Sequence, residues 1–430
     1  MKKTSFPQYS QASGWNKLLP ARRPNPSLDV DYNCELTIVG AGYTGISAAK
    51  RWRQLAPDDE IVIIDSSEIG EGNPGRNSGF VLEIALANDA DPAQMKRMSE
   101  CNQLIAGAME DIARDVKLSN IDCQLDRTGT YRAAAGEAGM KALMQYRNFL
   151  EAAELPFEDL DKDALSKKIG TRFYRQGLYS PHCYLAQPAS LIKALASQLP
   201  EGVRLFENTG ALRFQQDGDG WIVETRNGLI RSKKLILANN AFAKELGVGK
   251  SRLVAMYTYA GITPVLGNDV LQSLGSDSSW GILPSHRLGS TLRKTVDGRL
   301  LVRSFYGYEK ESRSSEIEKE LSRNLTRRFP QLESPEFESV WGGAVGFTLN
   351  GGGLWGEVKP GLFVSAGCNG GGIVKGTLLG KLLAEKANGN EVPNIDTLFG
   401  KASWMPPEPF RAIGFKLASS WERYRGKAEL

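Results

Sequence analysis

Ten residues constrain this chain more than any others: Leu36-Thr37-Ile38-Val39-Gly40-Ala41-Gly42-Tyr43-Thr44-Gly45. An apolar run enters Gly-x-Gly-x-x-Gly, and Ile46-Ser47-Ala48-Ala49-Lys50 continues as a small-residue helix. A second apolar run, Ile61-Val62-Ile63-Ile64, ends in Asp65, twenty residues after Gly45. Strand, glycine triplet, helix, strand and acid in register are what a dinucleotide cradle requires. Gly40 allows the tight turn, Gly42 lets backbone approach a pyrophosphate, and Gly45 lets helix pack on strand. The phosphates belong at the helix N-terminus, where free N–H groups and the helix dipole favour anions. The carboxylate of Asp65 is placed to accept from ribose hydroxyls.

The length of 430 residues allows two or three domains and a large core. A net charge of +4 predicts no nucleic-acid partner. Cys34, Cys101, Cys123, Cys183 and Cys368 lack paired spacing, so no disulfide framework or zinc site is implied, and a reducing compartment fits. With only His182 and His286 present, His-rich metal chemistry is not expected, and no metal site is assigned. Lys2 and Lys3 are not followed by the apolar core of a signal peptide, and no run approaches the roughly 18 apolar residues of a spanning helix. The expected location is the cytoplasm.

Helical spacing runs over 91–118 and again over 138–153. Strands are expected at 203–206, 221–225 and 235–238, and a mostly β stretch at 254–265, 280–284, 290–294 and 299–306, with Asp297-Gly298 as a hairpin turn. The strand-glycine-helix pattern then returns: Leu362 to Ser365, Gly367-Cys368-Asn369-Gly370-Gly371-Gly372, and a helix over 373–387. The second domain is therefore inserted into the first. The cofactor domain is assigned 34–100, 170–245 and 340–390, and the substrate domain 101–169 and 246–339. Residues 1–33 form an arm and 391–430 a tail carrying an amphipathic helix. The expected fold class is an α/β Rossmann-type domain with an inserted α+β domain built on a largely antiparallel sheet.

A second glycine loop opening a C-terminal helix suits a flavin whose ring lies far from its adenosine end. Its N–H groups and positive helix terminus would stabilise negative charge near N1 and O2 of the reduced ring.

Together with Gly75-Arg76-Asn77-Ser78-Gly79, Leu237-Ala238-Asn239-Asn240-Ala241, Arg293 to Leu301, and Trp341-Gly342-Gly343, these motifs resemble the D-amino-acid oxidase superfamily of FAD enzymes over nearly the whole chain. The arm and tail look closest to its γ-glutamylputrescine oxidase branch. The resemblance implies that the Rossmann-type domain is FAD-binding and glutathione-reductase-like, with non-covalent FAD held by Gly40, Gly42, Tyr43, Thr44, Gly45, Asp65, Ser66, Gly75, Arg76, Asn77, Ser78, Gly79, Ala211, Ala238, Asn239, Gly367, Asn369, Gly370, Gly371, Gly372 and Ile373. Three departures stand out. The acid is Asp65 where the family commonly shows Glu. Residues 340–350 hold no cysteine, from which sarcosine oxidases tether flavin. Val345 stands where glycine oxidase carries a carboxylate-binding arginine.

Arg293 is the candidate catalytic residue, placed by the family's corresponding strand facing the flavin. Arg303, Tyr257, Tyr259, Tyr306 and Trp280 are substrate candidates, since π faces attract cations and enclose methylenes. The implied reaction is oxidation of an amine C–N bond to an imine, with O2 as acceptor giving H2O2. Candidate substrates are a γ-glutamylated amine or a small imino acid such as pipecolate. The competing reading is a 2-hydroxy-acid dehydrogenase passing electrons to a quinone or carrier protein, with His286 as base. Lys375 is expected to be exposed. In the tail, Phe410, Ile413, Leu417, Trp421 and Tyr424 share a helical face. Docking on the protein's own surface is expected, with a membrane surface as the alternative.

Overall fold

A computed structural model describes residues 5–84, 95–312, 314–333 and 335–430. Two eight-stranded sheets organise the chain. In the first, Tyr32–Val39 pairs in parallel with Ile61–Ile64 on one side and Leu229–Leu237 on the other. Val203–Phe206 extends the sheet beyond Ile61–Ile64, and Leu362–Ala366 beyond Leu229–Leu237, both in parallel. Leu354–Lys359 closes that side antiparallel, while Gly220–Glu224 and Arg213–Asp217 form an antiparallel flap on Leu229–Leu237. The central strands read as continuous apolar runs because helices and the flap cover both faces.

The helices Tyr43–Leu55 and Val374–Ala387, one from each end of the chain, pack against each other over this sheet. Gly380 makes the close approach: a β-carbon there would collide with the Thr44 carbonyl. One core holds Ile38, Ile46, Ala49, Ile63, Leu378 and Leu383 together.

The second sheet runs in the order Ser339–Phe347, Val254–Ile262, Leu300–Tyr308, Thr291–Lys294, Trp280–Pro284, Thr130–Ala134, Gln176–Ser180, Glu158–Asp161. All its pairings are antiparallel except Trp280–Pro284 with Thr130–Ala134. The helix Ser314–Arg328 covers one face through Ile317, Leu321 and Leu325.

Three segments sit in a different domain from the one their position in sequence suggests. Ser339–Phe347 pairs with Val254–Ile262 in the second sheet, although 340 onward was assigned to the cofactor domain. Gln176–Ser180 likewise pairs with Thr130–Ala134. Conversely, the helix Met95–Ser119 buries Cys101, Ile105, Met109 and Ile112 in the first domain's core. Strand pairing and helix packing join residues remote in sequence, so boundaries drawn by counting along the chain miss them. Residues 91–94 of the helix expected there lie outside the described residues. The arm is an ordered strap. Its Arg22 side chain and Asn25 N–H bind the fully buried carboxylate of Glu207, and Trp15 donates from Nε1 to the Asn77 carbonyl at 2.8 Å.

Candidate functional site

The cradle begins where the first strand ends. Gly40 turns at φ 108°, and a β-carbon there would press on the Ala238–Asn239 backbone at 2.9–3.1 Å. A β-carbon on Gly42 would meet only Pro74 Cγ, at 3.1 Å, so the space above this residue is otherwise open. The helix Tyr43–Leu55 starts without a side-chain cap, leaving first-turn N–H groups free for an anion. Gly45 lies against the Gly40 carbonyl, and Tyr43 is buried with its hydroxyl on the Pro74 carbonyl at 3.2 Å.

Asp65 closes this end. The Ala41 N–H donates to its Oδ2 at 2.9 Å, and the Ser67 N–H to its Oδ1 at 3.0 Å. It is Ser67, not its neighbour Ser66, whose side chain reaches Asp65. Oδ1 thus accepts twice from Ser67, while Oδ2, with one donor, retains acceptor capacity for a ribose hydroxyl. Burial pushes the Asp65 carboxyl above the usual carboxylate range. Nearby, Asn239 Oδ1 is buried without a partner, a feature a ligand donor would satisfy. Ala238 lies at the same edge of the sheet. Ala211 is buried beneath the arm, its carbonyl accepting from Ser5 Oγ.

The opposite end is the second glycine loop. Asn240, at φ 48°, accepts through Oδ1 from the Gly367 N–H at 2.9 Å and the Cys368 N–H at 3.3 Å. Asn369 braces the loop with its side chain, donating to the Gly367 carbonyl at 2.7 Å and accepting from the Thr348 N–H at 2.9 Å. Among the described residues, Gly370 and Gly371 have no protein atom within 4 Å of where a β-carbon would sit. Gly372 and Ile373 lead into the helix Val374–Ala387, which again lacks a side-chain cap. Lys375, expected to be exposed, is half-buried beside Cys368 and Cys101, and burial lowers its pKa.

Between the two ends runs the loop Gly75–Gly79. The Arg76 guanidinium serves protein partners: it donates to the carbonyls of Glu71 at 2.6 Å, Gly342 at 2.8 Å and Gln11 at 2.8 Å. Asn77 shapes the turn by accepting from the Gly79 N–H at 2.8 Å. Ser78 offers its carbonyl to Arg293 at 3.4 Å. Arg293 itself is fully buried on Thr291–Lys294, and burial lowers its pKa to about 10.

The register places Arg293 opposite Leu301 and Thr291 opposite Arg303, so both arginines point to one face of the sheet. Arg303 donates to the Tyr306 hydroxyl at 3.3 Å. Tyr257 and Tyr259 lie on Val254–Ile262, and Tyr257 meets the arm's Tyr9 edge-on at 6.4 Å. The guanidinium of Arg76 stands 3.8 Å over the Tyr9 ring, and Glu311 accepts from the Ser10 N–H at 2.9 Å. Trp280 is core, stacked on Phe329 at 5.9 Å with its Nε1 on the Leu274 carbonyl, because its strand turns that side chain toward the covering helix. Tyr257 and Tyr259 are buried in the same cluster, on the face opposite Arg293 and Arg303, because the register sets Ala260 and not Tyr259 against Arg303.

Sequence reading missed Tyr9, Asn73 and Glu311, and quoted Asn240 in a motif without giving it a role. Asn73 accepts from the Ala344 N–H at 3.0 Å and also binds the Tyr9 hydroxyl, linking arm, loop and second sheet. Only Asn240, directly after the quoted Asn239, carried a local signal.

Two uncapped helix starts, open glycines at both, an orphaned buried amide oxygen and a ribose-placed acid fit a long dinucleotide. A family model described as FAD dependent oxidoreductase matches residues 35–386. The chain belongs to the FAD-dependent oxidoreductase family. FAD is its cofactor, and its two-domain architecture is the family's. The chain is similar to a probable oxidoreductase OrdL of Rhizobium meliloti, at 26% identity over 96% of this chain and 97% of that protein. It is also similar to the γ-glutamylputrescine oxidoreductase of Escherichia coli, at 24% identity over 88% of each. The solved glycine oxidase of Geobacillus kaustophilus shares the fold, with a TM-score of 0.72 at 19% identity over 87% of this chain and 100% of that one.

Proposed function

We propose that this FAD-dependent oxidoreductase oxidises the C–N bond of an amine or amino acid. The α-carbon gives up a hydride equivalent and the nitrogen a proton, leaving an imine. Water then yields the carbonyl compound and the freed amine or ammonia. Dioxygen, accepting two electrons and two protons, leaves as hydrogen peroxide. FAD supplies the two-electron acceptor. The similar γ-glutamylputrescine oxidoreductase makes a γ-glutamylated amine the first substrate class to test, and a small imino acid such as pipecolate the second.

The carrying observation is the commitment of His286. This ring is buried, its Nε2 lies 3.1 Å from Glu422 of the tail helix, and its Nδ1 accepts from the Leu288 N–H at 3.3 Å. The other histidine, His182, faces Glu83 and Arg127, and burial lowers its pKa. Oxidation of a hydroxy acid needs a positioned base, whereas a neutral amine needs none beyond water. The Glu311 carboxylate, beside the buried Tyr259 ring, offers negative charge to an aminoalkyl chain. Arg303 is the cation on the Arg293 face nearest solvent and would take a carboxylate. Free thiols at Cys34, Cys101, Cys123, Cys183 and Cys368 support a reducing compartment such as the cytoplasm.

The test is an anaerobic screen of γ-glutamylated amines, imino acids and 2-hydroxy acids, read as loss of the oxidised flavin absorbance. Bleaching by an amine or imino acid, with peroxide formed on admitting air, is expected. Bleaching by hydroxy acids alone would overturn the assignment.

A further inference from the structure

The tail helix Phe410–Arg425 docks on the protein, but by the side opposite to its apolar stripe. Phe415 stacks on Tyr308 at 5.1 Å, Glu422 meets His286, and Arg411 donates to the Lys250 carbonyl at 3.1 Å. The Gly426 backbone lies so close to the His286 ring that a β-carbon would collide with it. On the far side, Phe410, Ile413, Leu417, Trp421 and Tyr424 stand 51–77% exposed. At 3.6 residues per turn they fall within an arc of about 80°. A surface helix ordinarily turns such a stripe inward; this one turns it to solvent.

Cations border the stripe. Exposed Lys416 and Lys427 flank one edge and exposed Arg425 the other. Behind the first edge lies a cavity of about 300 Å³, where Arg323, Arg327, Arg423 and Lys427 gather with the Glu320 carboxylate and with Leu430, whose oxygen accepts from Arg327. That carboxylate is bound to Arg323. Apolar and aromatic side chains framed by cations are the composition of a helix lying in a lipid interface.

We propose that this helix seats the enzyme on an anionic lipid bilayer. The stripe enters the boundary between headgroups and acyl chains, and the cations along its edges and in the cavity meet lipid phosphates. A second copy of the chain fits less well. A two-fold contact through the stripe would bring Lys416, Arg425 and Lys427 against the same cations of the other copy. A bilayer supplies both the apolar medium and the opposite charge. Among the described residues no helix is long and apolar enough to cross a membrane, so contact lies along the surface.

The test is co-sedimentation of the full-length, FAD-loaded protein with phosphatidylcholine vesicles, with and without about one third phosphatidylglycerol. Binding to the anionic vesicles, weakened by salt, is expected. Leu417→Glu with Trp421→Glu should abolish it. Lys416→Gln and Lys427→Gln should each weaken it by about fivefold. All four side chains are exposed, so melting temperature and flavin content should stay at parent values. Failure to bind, equal binding to both vesicle types, or a solution dimer dissociated by Leu417→Glu would each overturn the proposal.

Discussion

Arg293 donates from Nη1 to the Ala186 carbonyl at 2.5 Å and carries a buried positive charge from the second sheet to the loop ending at Gly79. Its Cζ lies 5.2 Å from the Trp15 ring centre, so arm, loop and sheet converge on one guanidinium. Its Nε is buried without a partner. A charge held this way fixes the loop that runs between the two ends of the cradle, whatever it adds to substrate chemistry.

Arg293→Ala should therefore cost stability as well as turnover. The Ala186 and Ser78 carbonyls lose their donor and a cavity opens, for about 2–4 kcal/mol. In kinetics, kcat/KM should fall by roughly one to three orders of magnitude. Arg293→Lys should recover part of both, because an ammonium keeps the charge for the two carbonyls that Nη1 serves but loses the planar guanidinium beside Trp15. Urea denaturation beside steady-state kinetics checks this. A variant with parent stability and kinetics within about twofold would remove Arg293 from the site.

The two glycine loops can be probed by filling them. Among the described residues, Gly371 has no protein neighbour within 4 Å of a built β-carbon, and unlike Gly370, at φ 90°, it does not need the left-handed region. Gly371→Val should leave the FAD-free protein at parent stability yet reduce its bound flavin. Gly42→Val should abolish flavin binding, since its branched side chain takes the space assigned to the pyrophosphate. The ratio of flavin to protein absorbance after purification measures both. A parent ratio in Gly42→Val would remove the phosphate from that position.

The strand, triplet and acid around Gly40 to Asp65 were legible because each residue type answers a local steric or charge demand. Arg293 and Arg303 could be found for the same reason, but their shared face could not. It depends on hairpin register, which places Arg293 opposite Leu301. Trp280 and Tyr257 look alike in sequence and share the core beneath Ser314–Arg328, and only the arm's Tyr9, edge-on to Tyr257, sets the two apart. That helix was itself readable from Ile317, Leu321 and Leu325 at spacings of four, and was passed over. Tyr9, Trp15 and Glu207 left no trace, because their partners lie far along the chain and an irregular strap has no period. The tail's stripe was seen, but a hydrophobic face alone does not say which way it points.

FAD affinity should depend on pH through Asp65. Ribose hydroxyls donate to its carboxylate, so binding favours the ionised form. Burial has raised its pKa in the FAD-free protein above the ordinary aspartate value of about 3.9. Affinity should then fall as pH drops through that raised value. The effect on folding has the opposite sign. A raised carboxyl pKa favours the protonated native state, so Asp65's contribution to stability declines as pH rises from the ordinary value through the raised one. Asp65→Asn should weaken FAD binding at neutral pH by about ten- to a hundredfold, the scale of a charged hydrogen bond. It should also flatten the acid limb. Flavin fluorescence titrations would show both, and an unchanged limb in Asp65→Asn would clear Asp65 of the role.

FAD should come away from the protein on acid precipitation. Residues 340–350 contain no cysteine, and the thiol within the second glycine loop, Cys368, already accepts from Asn240 Nδ2 at 3.2 Å. A yellow supernatant containing FAD is the expected outcome. Flavin retained on the washed pellet would require a covalent link elsewhere in the cradle.

The pH dependence of flavin reduction separates amine from alcohol chemistry. If the reactive form is the neutral amine, kcat/KM should climb with pH and level off only near the substrate's own pKa. The apparent pKa should therefore move when the amine is changed. A histidine base would instead give a rise near about 6.5 that is the same for every substrate. His286→Gln keeps a donor toward Glu422 while abolishing the titration, so on the amine reading it should cost little in reduction rate. His182→Gln should behave likewise, since burial already keeps that ring neutral below the ordinary range. A substrate-independent profile, lost together with orders of magnitude in rate when His286 is replaced, would return the enzyme to the hydroxy-acid class.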